Sequence, residues 1–230
     1  MNVDEKLIQF KKFYEQNPYD FSEEEFNKVR VDIVNSRNGI VHDEYVDFSL
    51  WLKGLKSRHS YFIDYVIDKF PITKYKKILE VGCGRNPRVS KELLKRGYIM
   101  TAIDPRISNY NKNVISKKDE CVDAKTNVNY ISSEFVFGET DISVYDAVIA
   151  QEPCEATEHI VRACVSEKKD FIISLCGTPH RLVSGKMPKD LNEWYDYLEE
   201  IGGENCFIIN SKMIPGYFCP VMLGLFNELI

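Results

Sequence analysis

The spacing of apolar positions changes once along this chain. Up to about residue 74 they recur at three- and four-residue intervals, as on amphipathic helices, and no strand-like run interrupts them. The spacing predicts helices over 43–56, with Tyr45, Phe48, Leu52 and Leu55 on one face, and over 58–70, with Phe62, Val66 and Phe70, the second stopped by Pro71. Ser22 and Glu25 have capping-box spacing, and Phe21 and Phe26 have hydrophobic-staple spacing, so a helix is expected to begin at Ser22.

Beyond residue 74 short apolar runs alternate with helical stretches. Strands are expected at 78–81, 98–103, 135–137, 147–150 and 171–176, and helices at 87–96, 155–165 and 189–201. The runs 206–209 and 220–226 are strand-like with only a turn around Pro215 and Gly216 between them, so they must pair antiparallel. The expected fold is therefore α/β: a doubly wound, mostly parallel, Rossmann-like sheet of about seven strands with an antiparallel last strand, plus an N-terminal helical extension. The division is expected as 1–74 for the extension and 75–230 for the sheet domain. The aromatic residues of the extension, among them Trp51, Tyr61 and Tyr65, suit packing against the second part, with a substrate lid as the alternative.

Composition narrows the class. With 44% hydrophobic and 28% charged residues the chain is no disordered segment. Its first residues are acidic where a secretion signal would be basic, and its most apolar run, 213–226, is shorter than a span of about 20 residues and broken by Pro215, Gly216, Pro220 and Gly224. Neither a leader nor a membrane span is expected. The 7 cysteines are scattered with no C-x-x-C pair, which suits reduced thiols and a cytoplasmic location.

The chemistry concentrates at Ile78-Leu-Glu-Val-Gly82-Cys-Gly84-Arg-Asn-Pro87 and at Asp104. An apolar strand runs into glycines that let a ligand approach the backbone, and a helix opens at once, with Asn86 expected as its cap and Pro87 at its first position. Asp104 lies 20 residues past Gly84 at the tip of the next strand, where a carboxylate can accept both hydroxyls of a nucleoside ribose. An adenosine-containing cofactor is expected. A dinucleotide site favours a third glycine where this chain has Pro87, and Glu80 suits a cation better than a pyrophosphate.

With these residues the chain resembles the class I S-adenosylmethionine-dependent methyltransferases over roughly residues 76 to 226, through Glu80, Gly82, Gly84, Asp104 and the closing antiparallel pair. The resemblance implies that Glu80, Gly82, Cys83 and Gly84 line the methionine end of S-adenosylmethionine and that Asp104 holds its ribose. It also implies an adenine contact after the third strand, from the stretch with Glu139, Thr140 and Asp141, and a cofactor contact from Gln151. Some amino-group methyltransferases carry an Asn- or Asp-Pro-Pro-aromatic motif after the fourth strand, and here only Pro153 fits it. The same stretch is loosely similar to an uncharacterised archaeal family, which implies no activity.

Methyl transfer is an in-line displacement, so positioning supplies most of the catalysis and a base is needed only where the acceptor must lose a proton. Glu152, Glu155 and His180, at the carboxyl ends of the fourth and fifth strands, are the catalytic candidates. Each also has an ordinary alternative, a helix-start carboxylate or a loop histidine. No metal site is expected, because Cys154, His159 and Cys164 are spaced by five residues and point about 140° apart on a helix. A formal charge of −5 conceals a basic stretch, 85–118, with 9 Lys or Arg against Glu92 and Asp104. It suits RNA, while Arg85 and Arg106 could receive the 2′-phosphate of NADP. The expected function is S-adenosylmethionine-dependent methyl transfer to an unidentified, small-molecule acceptor. The alternatives are an RNA methyltransferase, an NADP-binding oxidoreductase and a non-catalytic cofactor-binding protein.

Overall fold

The computed structural model describes residues 3–16, 27, 30–31, 43–107, 128–179, 181–185 and 187–227. The helix start expected at Ser22, His180, and the basic residues Lys112, Lys117 and Lys118 lie outside them. The chain divides into two compact units, Met1–Tyr61 and Phe62–Ile230.

In the first unit, α1 (Val3–Gln16) and α2 (Asp43–Leu52) meet through aromatic rings. Phe10 and Phe13, one turn apart on α1, face Phe48 of α2 with ring centroids 5.2 and 5.8 Å away. Trp51, one turn beyond Phe48, closes the cluster and donates its indole N–H to Gln16 Oε1 at 3.2 Å. Asp47 Oδ1 accepts the backbone N–H of Arg58 at 2.8 Å, satisfying a donor at the start of α3 (Arg58–Lys69). The chain crosses from the first unit to the second within α3, where Phe62, Val66 and then Phe70, just past its end, are buried.

The second unit is built on a seven-stranded sheet. Its strands are β1 (Lys77–Val81), β2 (Ile99–Ile103), β3 (Asn129–Ile131), β4 (Ala147–Gln151), β5 (Asp170–Ser174), β6 (Cys206–Ser211) and β7 (Cys219–Gly224), in the order β3-β2-β1-β4-β5-β7-β6. The first five run parallel, and β7 pairs antiparallel with both β5 and β6. Among the described residues the unit also holds helices α4 (Arg88–Lys95), α5 (Thr157–Glu167) and α6 (Leu191–Gly202). Alternate strand residues Leu79, Val81, Val148, Ala150, Phe171 and Ile173 share one core with Ile160 and Cys164 of α5 and Trp194 and Leu198 of α6. Ile78, Met100, Ile149 and Ile172, of the opposite parity, are buried as well, as strands covered on both faces must be.

The third strand is not where residue types alone place it. Asn129–Ile131 forms β3, in register with Thr101–Ile103, whereas the run 135–137 lies in a loop. Phe135 is buried in the core, and the backbone donors that follow it are taken by side chains: Val136 N–H by Thr140 Oγ1 at 3.0 Å and Phe137 N–H by His159 Nδ1 at 3.1 Å. An aromatic, β-branched run suits a strand, but here its packing and its hydrogen bonds are satisfied without one. At the start of α4 the cap is Pro87 rather than Asn86, and no side chain of the cap residue takes part.

Candidate functional site

The carboxyl ends of β1, β2, β4 and β5 open onto one rim, where ligands of open parallel sheets bind. After β1 the chain turns at Gly82 and Gly84, both at φ +70°, a left-handed conformation that side chains with a Cβ rarely adopt. Gly82 donates its N–H to Ile103 O at 3.0 Å. A Cβ on Gly82 would lie 3.0 Å from Pro153, so the loop after β4 rests directly on the loop after β1. Gly84 donates its N–H to Asp104 Oδ2 at 2.9 Å, which fixes the distance between the glycine loop and the tip of β2.

Asp104 is buried, and its carboxylate is held on both oxygens. Oδ1 accepts from the backbone N–H and the Nε of Arg106 at 2.8 and 3.2 Å, and Oδ2 accepts from Arg106 Nη2 at 3.3 Å. The guanidinium itself is more than half exposed, so it covers the carboxylate from the solvent side. The sequence offers Arg106 as an alternative receiver of the 2′-phosphate of NADP and does not announce this pairing, although the Asp-Pro-Arg spacing, with Pro105 forcing a turn, carries the signal.

Glu80 is buried on β1 and turns toward the start of α4, where Oε2 accepts the backbone N–H of Ser90 at 2.8 Å and the Ser90 hydroxyl. Ser90 is the third helical residue, so a strand carboxylate does the work of the missing side-chain cap. Burial pushes the Glu80 carboxyl up to about 7, the Ser90 bonds oppose the rise and the nearby Asp104 charge adds to it. Because the folded value lies above the ordinary 4.5, the folded state keeps a proton that the unfolded chain releases between those pH values. The contribution of this group to stability is complete below about pH 4.5 and is lost as the pH rises through about 7. A Glu80→Gln variant keeps an acceptor for Ser90 and does not titrate. Relative to it, the unmodified protein is expected to lose about 3 kcal/mol of stability between about pH 5 and about pH 8. Urea unfolding of both proteins across that range measures the difference, and a difference independent of pH would contradict it.

Cys83, between the two glycines, is half-buried, and burial together with the charges of Glu80 and Asp104 drives its thiol well above the ordinary range. A thiol held neutral in this way is a poor nucleophile.

On the other side of the rim, Gln151 ends β4 and is half-buried. Glu152 follows at φ +54° and Cys154 at φ +47°, two strained residues within three positions. Glu152 still donates its N–H to Ser174 O at 2.9 Å, so the β4–β5 ladder continues into the loop. Glu155 Oε2 accepts the backbone N–H of Arg181 at 2.9 Å. Buried Glu158 accepts Val183 N–H at 2.6 Å, Arg162 Nε at 2.9 Å and the Tyr197 hydroxyl. Burial pushes the Glu158 carboxyl up, but the bonds from Tyr197, Arg162 and Val183 outweigh it and hold it below the usual range. The segment 181–185 is thereby tied to Glu155, just before α5, and to Glu158 of α5.

The structure thus brings Glu80, Gly82, Cys83, Gly84 and Asp104 together, and Gly82 links them to the stretch with Gln151 and Glu152. Glu139, Thr140 and Asp141 sit in a turn beyond Phe135, where Thr140 caps Val136 and Asp141 Oδ1 accepts Ser143 N–H at 2.8 Å. The positions directly after β3 are Ser132, Ser133 and Glu134, because the strand ends at Ile131. Of the basic stretch, Lys95 and Arg96 both pair with Glu92, at 2.5 and 3.3 Å, and Lys91 donates to Asn86 Oδ1 at 2.9 Å. Among the described residues no helix is long and apolar enough to cross a membrane.

No family model matches the chain, and no curated protein matches its sequence. Solved structures with a similar course include the methyltransferase domain of a bacterial Hen1, at 15% identity over 73% of this chain and 99% of that one, with a TM-score of 0.49. A S-adenosylmethionine-dependent methyltransferase from Clostridium acetobutylicum ATCC 824 is 10% identical over 77% of this chain and 96% of that one, at 0.48. Magnesium protoporphyrin IX methyltransferase from Synechocystis PCC 6803, solved with bound S-adenosylmethionine, is 11% identical over 81% and 85%, at 0.47. These are likenesses of chain course.

Proposed function

We propose that this chain is a methyltransferase that binds S-adenosylmethionine in the site between Glu80, the glycine loop and Asp104, and transfers its methyl group to a small molecule. The observation that carries the reading is the position of Glu80. A dinucleotide of this fold class lays its pyrophosphate on the N-terminus of the first helix. Here that N-terminus is already filled by a carboxylate, through Ser90. A second anion there would meet Glu80 at close range, whereas a ligand that brings positive charge relieves a buried acid whose carboxyl burial has pushed up to about 7. Asp104 adds the acceptor for a ribose. Two acids flanking a glycine turn fit a cationic nucleoside.

When bound, S-adenosylmethionine supplies an electrophilic methyl group on a sulfonium. The chain's part is positional. Asp104 accepts the ribose hydroxyls once the Arg106 guanidinium has withdrawn from it, and Gly82 and Gly84 let the ligand lie against bare backbone. Glu80 places negative charge beside the cationic end. Glu152, on the rim after β4, is the group placed to take a proton from an acceptor that carries one, and Glu155 positions the 181–185 segment.

Calorimetric titration of the full chain with S-adenosylmethionine, S-adenosylhomocysteine, NAD and NADP tests the reading. Binding of the first two and none by NAD or NADP is expected. Binding of NADP alone would replace the reading with hydride transfer.

A further inference from the structure

We propose that Cys154 and Cys176 are a redox pair, which forms a reversible disulfide between the loop after β4 and the loop after β5. The two cysteines are remote in sequence and leave the sheet side by side. Gln151 of β4 is the register partner of Ser174 of β5, and the ladder continues through Glu152 N–H to Ser174 O at 2.9 Å. Adjacent strands run about 4.8 Å apart at such a pair, and Cys154 and Cys176 follow it by three and two residues. The Cys154 side chain is the neighbour that acts most strongly on the Cys176 thiol, which sets the two side chains close together. Cys154 Sγ in turn donates to Glu152 O at 3.5 Å.

The two sulfurs are not equivalent. Cys154 is exposed and sits on strained backbone at φ +47°, while Cys176 is half-buried. The Cys154 side chain, burial and the Glu152 charge push the Cys176 thiol up, and the exposed Cys154 is the sulfur that meets a solvent oxidant first. An accessible thiol beside a second, half-buried one is the arrangement of a redox-sensing pair. Cys164, Cys206 and Cys219 are buried and so are shielded from a solvent oxidant.

With hydrogen peroxide as oxidant the atoms balance. The Cys154 thiolate attacks one peroxide oxygen, the O–O bond breaks, and the departing hydroxide is protonated to water. The resulting sulfenic acid is displaced by Cys176 sulfur: the S–S bond forms, the S–O bond breaks, and the second water leaves with the Cys176 proton. Two thiols have lost two electrons and peroxide has become two waters. The bond itself does not depend on the cofactor reading. Its consequence does, because the linked loops flank the acceptor side of the proposed site, and the linkage would hold that side in one conformation.

The full chain is treated with hydrogen peroxide, blocked with an alkylating agent under denaturing conditions, and digested without reductant for mass spectrometry. The expected result is a cross-linked peptide pair joining Cys154 to Cys176, lost on treatment with dithiothreitol. In Cys154→Ser the pair is absent and Cys176 stays alkylatable. In Cys176→Ser the pair is absent and Cys154 is recovered as sulfenic acid or higher oxides. Full alkylation of both cysteines after peroxide, or a disulfide confined to other positions, would overturn the proposal. A titration of the oxidised protein with S-adenosylmethionine is read separately. Loss of all binding in the reduced protein would remove the cofactor reading and leave the disulfide standing.

Discussion

Asp104→Ala is expected to weaken the binding of S-adenosylmethionine by roughly 100-fold. A carboxylate that accepts both ribose hydroxyls makes two hydrogen bonds to a charged group, each worth about 1.5–3 kcal/mol, so losing both costs on the order of 3 kcal/mol or more. The site adds a second loss, since Asp104 Oδ2 also holds the Gly84 N–H at 2.9 Å and with it the turn on which the ligand lies. Arg106→Ala should act in the opposite direction. It frees the carboxylate from a guanidinium that is 58% exposed, and a pair so open to water is worth no more than about 1 kcal/mol, so binding tightens by about fivefold at most. Calorimetry on both variants, with circular dichroism to confirm that each is folded, separates these outcomes. Binding indifferent to Asp104→Ala would remove the ribose from this position and the cofactor assignment with it.

The largest effect on stability is expected at Gly224. It is the register partner of Phe171 across the antiparallel β5–β7 pair, and a Cβ there would lie 2.1 Å from Phe171 Cε1. Phe171 is fully buried in the central core and has nowhere to go. Gly224→Ala should therefore cost about 3 kcal/mol, the upper part of the usual range for overpacking, which corresponds to a fall in Tm of about 6–12 °C for a chain of this size. The reason is space rather than backbone conformation, and a double-mutant cycle distinguishes the two. Combining Gly224→Ala with Phe171→Leu should recover at least about 1 kcal/mol relative to the sum of the single changes. Strict additivity would show that the ring is not the obstacle.

Much of this architecture is legible in the order of residues. The alternation of apolar runs and amphipathic stretches indicates a mostly parallel sheet, and the close spacing of the last two runs forces their antiparallel pairing. The glycine turn and Asp104 at the next strand's tip can be read as well, because each is a local statement: a backbone conformation that excludes a Cβ, and a carboxylate one strand away. The third strand was not legible, since Phe135, Val136 and Phe137 have strand-like side chains and only the competing partners Thr140 and His159 take them out of the sheet.

What the sequence determined by itself is most elements of the sheet unit, their order and the glycine turn after β1, which follow from periodicities of two and 3.6 residues and from the freedom of glycine. The tertiary structure decided the partners. It set Glu80 on the N-terminus of α4, seated Gly82 against Pro153 and brought Cys154 near Cys176. Partnerships across neighbouring strands depend on register, and register is fixed by how the whole sheet packs, so no local pattern encodes them.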